Sequence, residues 1–104
     1  MKQDLGVKNR VKEILKIVQQ VSPGNSVELR IPPYAAIQCV SGSVHKRGTP
    51  PNVVEMSGDT LIELVGSPTD WDEFCHAGRI SASGTNANLK NLFTQVSKLD
   101  SSSK

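Results

Sequence analysis

Cysteine and histidine are the residues of this 104-residue chain that could bind a metal or activate a nucleophile, and it has two of each. The histidines are His45 and His76, and Cys75 directly precedes His76. Neighbouring residues on a helix point about 100° apart, so Cys75 and His76 do not readily share a metal ion. Nucleophilic catalysis would need a Ser or Cys beside a His that a carboxylate orients, and the sequence offers no such arrangement. We therefore expect no catalytic residues, no metal site and no cofactor.

Charged residues cluster at two further places. The acids Asp70, Asp72 and Glu73 fit either a cation-binding group or the start of a helix. Helix capping is the simpler explanation, because carboxylates stabilise the positive N-terminus of a helix. The run His45-Lys46-Arg47 is the densest positive segment. It fits a solvated hairpin tip, or a contact for a phosphate, an acyl-CoA head group or a partner protein.

A row of lysines follows helical spacing in the N-terminal half of the chain. Lys8, Lys12 and Lys16 lie side by side on the polar side of a helix. A solvated helix face is the first interpretation, and electrostatic docking on an anionic bilayer is the alternative. We expect no nucleic-acid partner, because no aromatic residues lie beside these lysines to stack on bases.

Hydrophobic spacing predicts the elements that position these residues. Apolar residues at helical spacing predict a helix over 7–21, with Arg10 near the edge of its apolar side. Alternation with period two, interrupted at Pro32-Pro33, predicts strands. The predicted strands are 26–31, 34–40, 44–47 as a short edge strand, 52–56, and 79–83 with Ile80 and Ala82 facing inward.

Three shorter helices are predicted in the second half of the chain. The first begins with Asp59 as its N-cap. The second begins with a capping box at 69–72 and ends before Gly78, which should adopt a positive φ. The third covers apolar residues between 89 and 96, and residues 97–104 are expected to form a flexible polar tail.

This order of elements predicts one α+β domain over residues 1–104, with its core in about 7–96. Strands joined by short turns favour antiparallel pairing, with helices covering one face of the sheet. We expect a single-layer, mostly antiparallel sheet of four to five strands backed by three to four helices.

The cellular location follows from what the sequence lacks. The N-terminal residues do not resemble a signal peptide, and no apolar run approaches the length of a membrane span. Cys39 and Cys75 are expected to be reduced core thiols. We therefore expect a cytoplasmic protein.

Three runs of the sequence resemble the bacterial branch of the sterol carrier protein family. They are residues 27–40, 47–55 and 77–84, and the resemblance extends over about 7–96. The middle run, Arg-Gly-Thr-Pro-Pro-Asn-Val-Val-Glu, is the most specific. The resemblance implies a sheet backed by helices and, as in many members, an apolar tunnel for sterols, fatty acids or acyl-CoA. It also implies a second role, that of an accessory domain, as in thiol-dependent maleylpyruvate isomerases.

Apolar side chains of the predicted helices and strands would line such a tunnel. By composition alone they are simply a core, and only the resemblance points to a pocket. The residues on helices are Leu61, Leu64, Val65, Trp71, Phe74, Leu89, Leu92 and Phe93, and those on strands are Ile37, Cys39, Val54, Met56 and Ile80. The expected function is a non-catalytic module that binds or carries a lipid, fatty acid or acyl-CoA. The alternative is an accessory or protein-interaction domain with a filled core.

Overall fold

Four helices and four strands make up the part of the protein described by a computed structural model, which covers residues 4–42 and 52–102. In chain order they are α1 (Leu5–Val21), β1 (Val27–Ile31), β2 (Ala35–Cys39), β3 (Asn52–Met56), α2 (Gly58–Gly66), α3 (Trp71–His76), β4 (Ile80–Ser83) and α4 (Lys90–Ser102). The predicted edge strand at 44–47 and the basic run His45-Lys46-Arg47 lie outside the described residues.

The strands form one sheet in the order β2-β1-β3-β4. β1 pairs with β2 and β3 pairs with β4 in antiparallel fashion, whereas the central pair, β1 and β3, is parallel. Leu29 of β1 therefore lies between Ile37 of β2 and Val54 of β3. The prediction of an α+β domain with a mostly antiparallel sheet is confirmed, and the parallel central pair is the feature that short turns did not predict.

One face of the sheet carries the core. In β1 the side chains of Val27, Leu29 and Ile31 are buried, while those of Glu28 and Arg30 point to the other face. The helices close the apolar face, because their buried side chains form one continuous cluster with those of the strands. Among the described residues, no helix is long and apolar enough to cross a membrane.

The starts of α2 and α3 differ from the prediction. Ser57 is the N-cap of α2, since its Oγ accepts a hydrogen bond from the N–H of Thr60 at 3.1 Å. Asp59 lies inside the first turn instead, where its charge still favours the helix dipole. The predicted capping box of α3 does not form. A 3₁₀ turn, Pro68–Asp70, runs directly into this helix, and the carbonyl of Pro68 already accepts the N–H of Trp71.

Two predictions at the ends of later elements were wrong. Ala82 is exposed, although it pairs with buried Val54, whereas Ile80 is buried as predicted. The polar segment from Ser97 onward is helical as far as Ser102 rather than a flexible tail. The physical reason is an ion pair of Asp100, described below.

Gly78 ends α3 with φ of +76°, as the sequence predicted. A Cβ at this position would meet no other atom within 4 Å, so only backbone strain opposes a side chain. We expect Gly78→Val to lower the free energy of unfolding by about 1–2 kcal/mol, the cost of a left-handed conformation. Gly78→Asn should lower it less, because asparagine tolerates this region. Urea unfolding measures both variants, and equal losses would contradict the explanation.

Candidate functional site

The residues predicted to line a tunnel lie in the packed core. Leu61, Leu64 and Phe93 are 0% exposed, and the rings of Trp71 and Phe93 stack with centroids 6.2 Å apart. Val54, Val65, Met56 and Phe74 are also buried, and Ile37 is half-buried. Leu92 differs from the others because it also lines a groove at the surface, together with Leu89.

This groove, of about 530 Å³, lies between the end of α1, the end of β2 and the first half of α4, and we call it the α1–α4 groove. Its volume is within the range of about 300–1,000 Å³ that is typical of small-molecule sites. Its lining residues are Val21, Ser22, Val40, Ser41, Thr85, Asn86, Asn88, Leu89, Leu92 and Gln95. None of these residues is charged: four are apolar, and six carry a hydroxyl or an amide.

The first wall of the α1–α4 groove is the segment directly after β2, Val40 and Ser41, which the loop after α1 holds in place. The N–H of Val40 donates to the carbonyl of Ser22 at 2.8 Å, and the carbonyl of Val40 accepts from the N–H of Ser26 at 2.9 Å. Gly24 packs so closely on this peptide that a Cβ there would overlap the carbonyl oxygen of Val40. The backbone at Val40 is thus fixed from both sides.

The second wall is the segment between β4 and α4, and Asn52 anchors it. The side chain of Asn52 is buried, donates from Nδ2 to the carbonyl of Ser26 at 2.9 Å, and accepts from the N–H of Asn86 at 3.0 Å. A Cβ on Gly84 would overlap its Oδ1. Sequence reasoning assigned Asn52 only to the start of a strand. The signal that could have identified it is the period of two in β3, which places Asn52 on the same face as the apolar Val54 and Met56, because a buried amide needs partners.

One acid of the predicted acidic cluster forms an ion pair, and both thiols are protonated. Asp72 forms an ion pair with Lys90 at 3.1 Å, and the described residues contain no group of three His, Cys, Asp or Glu side chains that could hold a metal. Both cysteines are free thiols. Burial raises the pKa of Cys39 to about 11, and burial with the charge of Asp72 raises the pKa of Cys75. Both thiols therefore stay protonated at neutral pH.

The sequence model of the family described as bacterial SCP ortholog matches residues 4–94, where SCP stands for sterol carrier protein. The chain belongs to this family. The match spans the whole sheet and helices α1 to α3, and it includes every residue that lines the α1–α4 groove except Gln95. No curated protein sequence matches this SCP domain.

The solvent face of α1 in this SCP domain carries the predicted row of lysines. Lys12 and Lys16 are exposed and Lys8 is half-buried, and no ion pair within residues 4–42 and 52–102 involves them. Leu5 belongs to the same face, one turn before Lys8, and it is 71% exposed. An exposed leucine among lysines gives this face an amphipathic character.

Arg10 links α1 to the C-terminal helix of the SCP domain. Its guanidinium donates to both carboxylate oxygens of Asp100, at 2.8 and 2.7 Å, and to Glu13 at 3.2 Å. Asp100 is 8% exposed, while the side chain of Arg10 is 24% exposed, so this pair is partly buried. The sequence contained a signal for it, namely an arginine at the edge of the apolar side of α1.

Replacing Asn52 should destabilise the SCP domain. Asn52→Ala leaves the buried carbonyl of Ser26 and the N–H of Asn86 without their partner, a loss of about 1–3 kcal/mol. The control is Asn25→Ala, which removes an exposed hydrogen bond to Gln38 and should change stability by less than about 0.5 kcal/mol. Urea unfolding compares the two variants. Similar effects would show that Asn52 is not an anchor.

Proposed function

We propose that this SCP domain is a non-catalytic carrier module that binds an amphipathic lipid in the α1–α4 groove. The observation that carries the proposal is the groove itself, which combines about 530 Å³ of volume with an apolar part and a hydrogen-bonding part. Val21, Val40, Leu89 and Leu92 would contact the alkyl portion of the lipid. Burial keeps the thiols of Cys39 and Cys75 protonated, which favours a binding role over thiolate chemistry.

The lining of the groove favours a lipid whose polar end is uncharged. A carboxylate or phosphate loses hydration on binding and needs a cationic partner to offset that cost. The described lining offers only hydroxyl and amide groups for this purpose. One N–H at the N-terminus of α4 already has a partner, because Asn88 Oδ1 accepts the N–H of Lys90 at 3.0 Å. Among a neutral lipid, a fatty acid and an acyl-CoA, we therefore place the neutral lipid first.

Three ligands with the same alkyl chain test this order: 1-palmitoylglycerol, palmitate and palmitoyl-CoA. A ligand that binds only the folded state raises the melting temperature. At a free ligand concentration of a hundred times Kd, the free energy of unfolding increases by about 2.7 kcal/mol. We expect a saturable rise with 1-palmitoylglycerol and a smaller one with the two anions. A larger rise with palmitate or palmitoyl-CoA would overturn the preference for a neutral head, and no rise with any of them would overturn the carrier function.

Two tryptophan variants separate the groove from the tunnel that the sequence suggested. Leu92→Trp should fill the α1–α4 groove and lower affinity for 1-palmitoylglycerol at least about tenfold, while the domain stays folded. Leu64→Trp should cost about 1–3 kcal/mol, because Leu64 is 0% exposed in a close-packed core, and should leave affinity unchanged. The opposite result, loss of binding in a stable Leu64→Trp variant, would place the ligand behind α2.

A second candidate function is an accessory or protein-interaction domain, the role that the sequence resemblance also implies. The close packing of Leu61, Leu64 and Phe93, all 0% exposed, favours it, because these residues were expected to surround a ligand. Native mass spectrometry of the protein purified from cells distinguishes the two functions. A copurified lipid supports the carrier, whereas an apo mass together with no response to the three ligands supports the interaction domain.

We also propose a cytoplasmic location and a peripheral contact between α1 and an anionic bilayer. The free thiols of Cys39 and Cys75 suit a reducing compartment. Each basic residue near an anionic surface contributes about 1 kcal/mol, and Leu5 can enter the interface. The run His45-Lys46-Arg47 is a second candidate contact for the same surface, for a phosphate or for a protein partner.

Paired variants locate the bilayer contact. Lys12→Gln/Lys16→Gln should weaken binding to phosphatidylserine vesicles by about tenfold or more and reduce its salt dependence. Lys46→Gln/Arg47→Gln removes the same number of positive charges from another segment. A difference in vesicle binding between the two variants therefore depends on where the charges lie and not on net charge. Vesicle sedimentation measures both, with phosphatidylcholine vesicles as the neutral surface. Unchanged binding by the first variant would exclude α1 as the contact.

A further inference from the structure

Val40 has an unusual backbone conformation for its residue type. Its φ is +67°, and among the described residues it is the only non-glycine residue with a positive φ. A β-branched side chain in the left-handed region is a genuine outlier, because its Cβ crowds the backbone. The other positive-φ positions, which are Gly24, Gly42, Gly78 and Gly84, carry no side chain.

The surrounding loop imposes this conformation. Two backbone hydrogen bonds, to Ser22 and from Ser26, hold both sides of the residue, and Gly24 packs on its carbonyl. The side chain of Ser41 adds a third bond, from Oγ to the carbonyl of Pro23 at 3.2 Å. These contacts hold the backbone at position 40 in the left-handed region, which glycine would adopt without strain.

Val40 lines the α1–α4 groove and also packs against the edge of the hydrophobic core. The groove is also lined by Leu89, which directly precedes α4, and by Leu92 of α4, and Val40 is only partly buried. Because Val40 is only partly buried, its contacts with the core offset only part of the cost of a strained valine. Strained residues that the surrounding structure holds in place cluster at ligand sites.

We propose that Val40 is a ligand-positioning residue, held in a strained conformation so that its branched side chain forms the apolar wall of the α1–α4 groove against the alkyl part of a bound lipid. This inference rests on the proposed lipid-binding function and deepens it. A role in ligand binding and a role in packing predict different effects of replacing Val40. A valine present for packing supports stability, whereas a valine present for the ligand is replaceable without loss of stability but not without loss of affinity.

The test compares Val40→Gly and Val40→Asn with Val21→Ala. Glycine and asparagine both tolerate the left-handed conformation, and Val21 lines the same groove from the regular helix α1. The Val40 variants should melt at the parent's temperature or several degrees above it, while their affinity for 1-palmitoylglycerol falls about tenfold. Val21→Ala should lower both the melting temperature and the affinity for 1-palmitoylglycerol.

The outcomes separate this inference from the proposed function. If the parent binds 1-palmitoylglycerol and both Val40 variants bind it equally well, Val40 has no positioning role although the carrier function stands. The positioning role of Val40 is also overturned if the Val40 variants lower the melting temperature as much as Val21→Ala does. If the parent does not bind any of the three lipids, the carrier function fails, and the role of Val40 fails with it.

Discussion

The buried amide of Asn52 is the constraint on which the geometry of this domain depends. It joins β3 to Ser26, directly before β1, and to Asn86, in the segment between β4 and α4, residues that are 26 and 34 positions away in the sequence. A buried amide without partners costs far more than the net value of its hydrogen bonds, so the three segments meet in a single arrangement. The loop that Asn52 holds is also one wall of the α1–α4 groove. Fold and candidate site therefore share one polar anchor.

Much of the fold was predictable because its elements are amphipathic. The helical spacing of Val11, Ile14 and Val18 predicted α1, and the alternation in 26–31 predicted β1 and its apolar face. The parallel pairing of β1 with β3 was not predictable in this way, because alternation specifies which face a strand buries and not its neighbour. The cap of α2 was assigned to Asp59 rather than Ser57, since both residue types cap helices and only the backbone decides between them.

The candidate site was less predictable than the fold. Its residues come from the ends of α1 and β2 and from the segment before α4, where no periodicity indicates which side chains meet. Leu89 and Leu92 belonged to the predicted apolar set, but the same reasoning also included Leu61 and Leu64, which are packed inside. Apolar character predicts burial, and it does not distinguish a core from a pocket. The contact between Arg10 and Asp100 was missed for a similar reason, because its partners are 90 residues apart.

The position of β1 in the middle of the sheet has a consequence for the order of folding. β1 and β2 are joined by three residues and can pair as soon as the chain between them turns, at a small entropic cost. The parallel partner β3 must close a longer loop, and α4 reaches Arg10 only after almost the entire chain is collapsed. Contacts made by Asn52 and Asp100 therefore form late on the folding path. Interactions of this kind mainly slow unfolding, so they set how long the native state survives rather than how fast it is reached.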